Sequence, residues 1–170
     1  AGVELGRGGV KQDKTKRQAM ADAMEAALKF FRDQLQLSSK AREYCEGRAL
    51  DQGVLETWEV GYAPNVGDLL AHELKKKGFV LSDCKDLSLV DGSEQTGYGD
   101  RFRGRLMFPI RDELGHVVGF GGRVIGDGQP KYINSSDSPL FNKSKTLYGA
   151  HRAKDTMRRL KQAVVVEGYL

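Results

Sequence analysis

Cysteine is nearly absent from this chain of 170 residues: Cys45 and Cys84 lie far apart, and no histidine stands at metal-ligand spacing from either. A zinc ribbon and a disulfide framework are therefore not encoded here, and both thiols are expected to be reduced. His72, His116 and His151 are isolated from one another, and each reads first as a surface or half-buried side chain. No run approaches the roughly 18 apolar residues needed to cross a bilayer, which excludes a spanning helix. The opening AGVELGRGGVKQDKTKRQ lacks the apolar stretch and cleavage site of a signal peptide, so a cytoplasmic location is the expectation. Repeats and low-complexity tracts are missing too.

What remains is a hydrophobic content of 39%, enough for one core with a small satellite lobe. The net charge of +4 is unevenly placed. Residues 1–96 carry 14 Lys+Arg against 16 Asp+Glu, whereas residues 97–170 carry 13 against 7. A basic, glycine-rich half beside a mildly acidic half points to a polyanionic partner, or else to a solvated basic surface.

Residues 1–17 show no periodicity and read as a linker. From Thr15 the spacing of Met20, Met24, Ala27, Leu28, Phe31 and Leu35 predicts a long amphipathic helix. Ser38, Ser39 and Glu43 predict the N-terminus of a second helix that Gly47 stops, and residues 51–57 a third. A short strand is expected over 58–62, closed by Ala63-Pro64, then a helix over 66–77 whose Lys75, Lys76 and Lys77 suit its C-terminal dipole. After Asp86 the runs LSLVD, GRLMFPIRD and HVVGFGGRVI predict an antiparallel sheet, with turns at Asp91-Gly92 and Glu113-Leu114-Gly115. Residues 137–147 read as loop, 150–160 as helix, and 163–166 as a final strand buried on both faces with Glu167 at its tip.

Chemistry concentrates in residues 100–149. Arg101, Arg103 and Arg105 are spaced by two, which on an extended segment puts them on one face. Arg123 follows Gly121 and Gly122, where a backbone or ligand can approach closely. Lys131, Tyr132 and Asn134 offer a cation, an aromatic platform and an amide, and Lys143 adds a second cation on a loop. Cations hold phosphates and an aromatic ring stacks on a base. On spacing alone a nucleic-acid surface and a merely solvated charged face both stand.

Three segments, RFRGRLMFPIRDELGHVVGFGGRV, PKYINSSDSPLFNKSKTLYG and VVVEGYL, follow one another in the order and approximate spacing of the bacterial replicative DNA primases of the DnaG type. From about residue 18 onward the chain resembles that family, and AREYCEGRAL resembles its first helical region.

The resemblance implies a mixed α+β fold, with a helical N-terminal lobe on a bent, mainly antiparallel sheet that ends in the first strand of a TOPRIM fold. Residues 1–17 would be the linker from an upstream zinc-binding domain, 18–160 the N-terminal subdomain of the catalytic core, and 161–170 the truncated start of TOPRIM. The function implied is that of a DNA-directed RNA polymerase making short RNA primers on single-stranded DNA. A non-catalytic single-stranded-DNA-binding module of a primase-helicase is the alternative. Glu167 matches the acid of the family's EGYMD signature, which works beside Mg2+ or Mn2+ or as a general base, and Leu170 stands where methionine is usual. The signature's aspartate and the later DGD-type carboxylates are not in this sequence, so the chain is expected to be an inactive fragment.

By the same carry-over Arg48, Arg101, Arg103, Arg123, Lys131, Tyr132, Asn134 and Lys143 line the template groove or hold the initiating nucleotide. Arg105 and Arg111 are weaker candidates, with ion pairing to Asp100 or Asp112 as the alternative. The partners implied are the template strand, an RNA–DNA hybrid, ribonucleoside triphosphates, the replicative helicase and single-strand binding protein, with no membrane. Zn2+ belongs to the upstream domain.

Overall fold

One long helix organises the molecule. The computed structural model describes residues 7–167, with side chains from residue 14. Helix α1 (Arg7–Leu37) carries the anticipated stripe, and Met20, Met24, Ala27, Leu28, Phe31 and Leu35 are all buried. It runs back through residues 7–17, expected as linker: that segment has no apolar period, but only two of its residues are glycine and none is proline, so nothing in it breaks a helix.

Two short helices follow, α2 (Ser39–Glu46) and α3 (Gln52–Thr57). Ser38 Oγ accepts the Ala41 N–H at 3.2 Å, the N-cap the sequence predicts, and Asp51 Oδ1 accepts the Val54 N–H at 2.8 Å, so Asp51 caps the third helix from just outside it. Strand β1 (Gly61–Ala63) is shorter and later than expected, and α4 (Leu69–Lys76) starts three residues late. Helix α5 (Leu81–Asp86) has no counterpart among the expected elements. A hairpin of β2 (Val90–Ser93) and β3 (Gly97–Asp100) forms a separate two-stranded sheet. Then come β4 (Arg105–Arg111), β5 (Val117–Val124), β6 (Tyr132–Asn134) and α6 (Ala150–Leu160).

The main sheet is antiparallel, in the order β1-β4-β5-β6. Its pleat separates two rows of residues. Gly61, Met107, Gly122 and Ile133 share one face, and α1 lies on it. The approach is close: a Cβ on Gly61 would stand 2.6 Å from Phe31 Cβ. Phe31 meets Phe120 and Phe102 edge-on, with centroids 5.2 and 6.5 Å apart. Tyr62, Leu106, Arg123 and Tyr132 share the opposite face. There Leu106 and Phe108 pack with Leu35, Ala41, Cys45, Leu55 and Val60 of the helical lobe. The fold is thus α+β with a helical lobe on an antiparallel sheet, as the sequence implied.

The strand expected over 163–166 is not formed. Val164, Val165 and Val166 are 73–82% exposed and pair with no strand among the described residues. A run of valines supplies β propensity, yet a strand exists only through its ladder bonds to a neighbour.

Helix α4 has no local cap, since Asp68 makes no side-chain cap bond. Its first amides are instead satisfied from the end of β3: Leu70 and Ala71 donate to the two Asp100 carboxylate oxygens at 3.0 and 2.9 Å. Burial pushes the Asp100 carboxyl above its usual range, and these two amides offset only part of that. Cys45 and Cys84 are buried free thiols, pushed up to about 11 by burial.

Two outcomes are expected in urea unfolding. Gly61→Ala forces α1 off the sheet and lowers stability by about 2–3 kcal/mol. Asp100→Ala strands two buried amides and lowers it by about 2 kcal/mol. A midpoint within error of wild type for either variant contradicts the corresponding contact.

Candidate nucleic-acid interface

Arginine 123 occupies a core position in the row of Leu106 and Tyr132, and it is 3% exposed. A guanidinium there needs partners. The sheet register supplies one and α2 the other. Tyr132 lies directly across the ladder, with its hydroxyl accepting from Arg123 Nη1 and its ring 5.2 Å from Arg123 Cζ. Tyr44 reaches in from α2 and accepts the Nε–H at 2.9 Å. Burial alone lowers the guanidinium's pKa, but the bonds to Tyr44 and Tyr132 outweigh it and the net shift is upward. The charge is held in place permanently.

Beside this ladder opens a cleft of about 470 Å³ lined by Tyr44, Arg48, Arg123, Lys131 and the turn Gly126–Gln129 that joins β5 to β6. The exposed Arg48, four residues after Tyr44, places its Cζ 5.4 Å from the Tyr44 ring centroid. Lys131 is exposed immediately before β6. Three cations therefore converge from α2's end, β5 and β6, with Asp127 as the one acid on the lining. Such a cleft attracts phosphate.

A second cleft, of about 400 Å³, is lined by Tyr132, Asn134, Leu147, Tyr148 and Val164–Val166. Tyr132, which lines this second cleft, is tied to the first through its contact with Arg123.

The remaining candidates lie apart from these clefts. Arg101 donates to Asp91 Oδ1 at 3.2 Å and to Ser136 Oγ at 3.4 Å. Arg103, an exposed residue, donates from Nε to the Asp100 carbonyl at 2.8 Å. Lys143 is exposed on a loop pinned by the buried Phe141 and by Asp137 Oδ1, which accepts the Lys143 N–H at 2.8 Å.

The one-face arrangement of Arg101, Arg103 and Arg105 is corrected by the structure. Gly104 sits in the left-handed region at φ +60°, which ends the alternation, and only Arg105 is in a strand. Arg105 is buried at 6% exposure and pairs with neither Asp100 nor Asp112. It crosses Gly122 toward the Gly122 and Lys131 carbonyls at 3.4 and 3.5 Å, and burial lowers its pKa. Arg111 pairs instead with Glu59, at 2.6 Å, and with Glu25.

Sequence reasoning misses Tyr44. Its only local signal is its place four residues before Arg48, since its main partner is 79 positions away.

Glu167 is exposed. Among the described residues no three His, Cys, Asp or Glu side chains come together as a metal-holding group. One exposed carboxylate does not fit a magnesium pair, which needs several carboxylates and substrate phosphates. No helix among the described residues is long and apolar enough to cross a membrane.

Comparison with known proteins places the chain among DNA primases. The chain is 36% identical to the Haemophilus influenzae DNA primase over 156 residues, which is 92% of this chain and 26% of that protein. To the Halalkalibacterium halodurans DNA primase it is 38% identical over 165 residues, 95% of this chain and 27% of that one. It spans about a quarter of the length of these relatives. The RNA polymerase domain of the Mycobacterium tuberculosis primase DnaG superposes with a TM-score of 0.83 at 36% identity, covering 90% of this chain and 51% of that one. A DnaG primase catalytic domain bound to single-stranded DNA superposes with a TM-score of 0.75 at 36% identity, covering 84% and 47%. Residues 30–154 match the family described as DNA primase catalytic core, N-terminal domain, and with this fold and these relatives the chain belongs to the DnaG-type primase family.

Proposed function

We propose that this chain is the template-gripping N-terminal part of a bacterial primase's RNA polymerase core. The whole enzyme is a nucleotidyltransferase that lays short RNA primers on single-stranded DNA during replication, in the cytoplasm. The observation that carries this reading is the cleft in which Arg48, Arg123 and Lys131 converge beside Tyr132, in a chain whose fold matches a primase domain bound to single-stranded DNA.

In the parent reaction the 3′-hydroxyl oxygen of one ribonucleotide bonds to the α-phosphorus of the next. The bond from that phosphorus to pyrophosphate breaks, and the hydroxyl proton leaves to a base. This chain's own residues bind and orient. Arg48, Arg123 and Lys131 hold backbone or nucleotide phosphates, Tyr132 and Asn134 face a base, and Arg101, Arg103 and Lys143 extend the electrostatic path along the template. Residues 18–160 act as the core's N-terminal subdomain and 161–170 lead into TOPRIM, with Glu167 one member of a carboxylate set that holds Mg2+ or Mn2+ when complete. Zinc belongs to a domain preceding the 1–17 segment. The RNA–DNA hybrid, ribonucleoside triphosphates, replicative helicase and single-strand binding protein complete the partner set of the whole enzyme.

The 170-residue chain is expected to bind a labelled oligothymidylate and to make no primer with Mg2+ or Mn2+. Incorporation of labelled ribonucleotide above a no-protein control would show that one glutamate suffices. In anisotropy titrations across a salt series, Arg48→Ala and Lys131→Ala should each flatten the log K against log salt slope by roughly 0.7, one released counterion apiece on a single strand. Tyr132→Ala should lower affinity by about 1–3 kcal/mol with the slope unchanged. Slopes equal to wild type in both cation variants mean that the cleft is only a solvated surface.

A further inference from the structure

Tyr44 makes two contacts of different kind in the same cleft. Its ring seats the Arg48 guanidinium, and its hydroxyl oxygen accepts the Nε–H of Arg123 at 2.9 Å. An oxygen that accepts from a cation must direct its own proton elsewhere. Among the described residues Tyr44's hydroxyl has no acceptor for that proton, although Tyr132, the other phenol on Arg123, is held within the sheet ladder. Tyr44 is half-buried and lines the cleft together with Arg48 and Lys131, so a ligand in that cleft is available to its proton. The donated bond from a charged nitrogen polarises the hydroxyl and strengthens it as a donor. A neutral donor beside three cations suits one class of ligand atom, the anionic oxygen of a phosphate.

We propose that Tyr44 is a phosphate-binding residue, its hydroxyl donating directly to a phosphate oxygen held by Arg48, Arg123 and Lys131. This rests on the reading of the cleft as the nucleic-acid site. The phosphate belongs either to a strand backbone or to a nucleoside triphosphate, and the chemistry is the same for both.

Tyr44→Phe keeps the ring and removes only the oxygen, so the test separates direct contact from mere support of Arg123. Affinity is measured by anisotropy across a salt series, for labelled oligothymidylate and for a fluorescent ATP analogue, with thermal melts alongside. Direct donation predicts a loss of roughly tenfold for one probe or both, with the salt slope unaltered, because a phenol releases no counterion. Loss with oligothymidylate alone identifies backbone phosphate, and loss with the ATP analogue alone identifies a nucleotide. In an Arg123→Ala background the same change should cost less than roughly threefold, since the hydroxyl is then no longer fixed or polarised.

A Tyr44→Phe variant that flattens the slope by about 0.7 overturns the proposal, because the hydroxyl then acts only by positioning Arg123. Wild-type affinity for both probes, with Arg123→Ala weakened, overturns it as well. If Arg48→Ala, Arg123→Ala and Lys131→Ala all bind like wild type, the reading of the cleft itself fails, and this inference with it.

Discussion

Everything in the molecule is hung on the approach of Phe31 to Gly61. With no side chain at Gly61, the backbone of α1 comes to lie against β1, and Phe31 is pressed edge-on against Phe120 and Phe102. That contact fixes the depth at which the helix sits on the sheet, and close packing does not let it vary. From it follow the two other positions that matter. The C-terminal end of α1 buries Leu35 in the lobe built by α2 and α3, so α2 is carried over the far face of the sheet. Its N-terminal half reaches the other edge, where Lys16 pairs with Asp83 and Arg17 donates to the Pro139 carbonyl of the loop that carries Lys143.

Placing α2 over the sheet is what makes the basic cleft. Arg123 would be an expensive resident of the Leu106 row if left alone, because an unpaired buried charge costs far more than a hydrophobic contact returns. Tyr44 and Tyr132 solve this without an acid. Neutralisation by a carboxylate would have cancelled the field that draws a polyanion. Two phenols accept two of the guanidinium's five N–H hydrogens and leave its charge intact. Arg111 shows the opposite solution: its pairing with Glu59 and Glu25 is structural, and nothing is left over for a ligand.

Local features are legible in the sequence and long-range ones are not. The apolar stripe of α1, the cap at Ser38 and the bounds of α6 are readable because each is written within a few residues. The resemblance to primases names Arg48, Arg123, Lys131 and Tyr132, and the structure brings those four together. Tyr44 escapes because no nearby residue explains it. Arg101 and Arg103 read as strand residues because alternation is a two-residue signal, and Gly104 breaks it with a backbone angle that a side-chain pattern does not show. Helix α5, six residues long, is too short for a period to emerge. The valine run at 164–166 has strand composition, but composition does not supply a pairing partner.

The remote cap on α4 bears on how the chain reaches this structure. Helix α4 is eight residues long and its amides wait for a carboxylate 29 and 30 positions further on. A helix of that length is unstable in isolation, and here even its first turn is unfinished until the β2–β3 hairpin has closed. The helix and the hairpin therefore consolidate in one step, at the slower pace of a non-local contact. Amides at the start of α4 should exchange with solvent only when the hairpin opens, which makes this pair of elements a single cooperative unit.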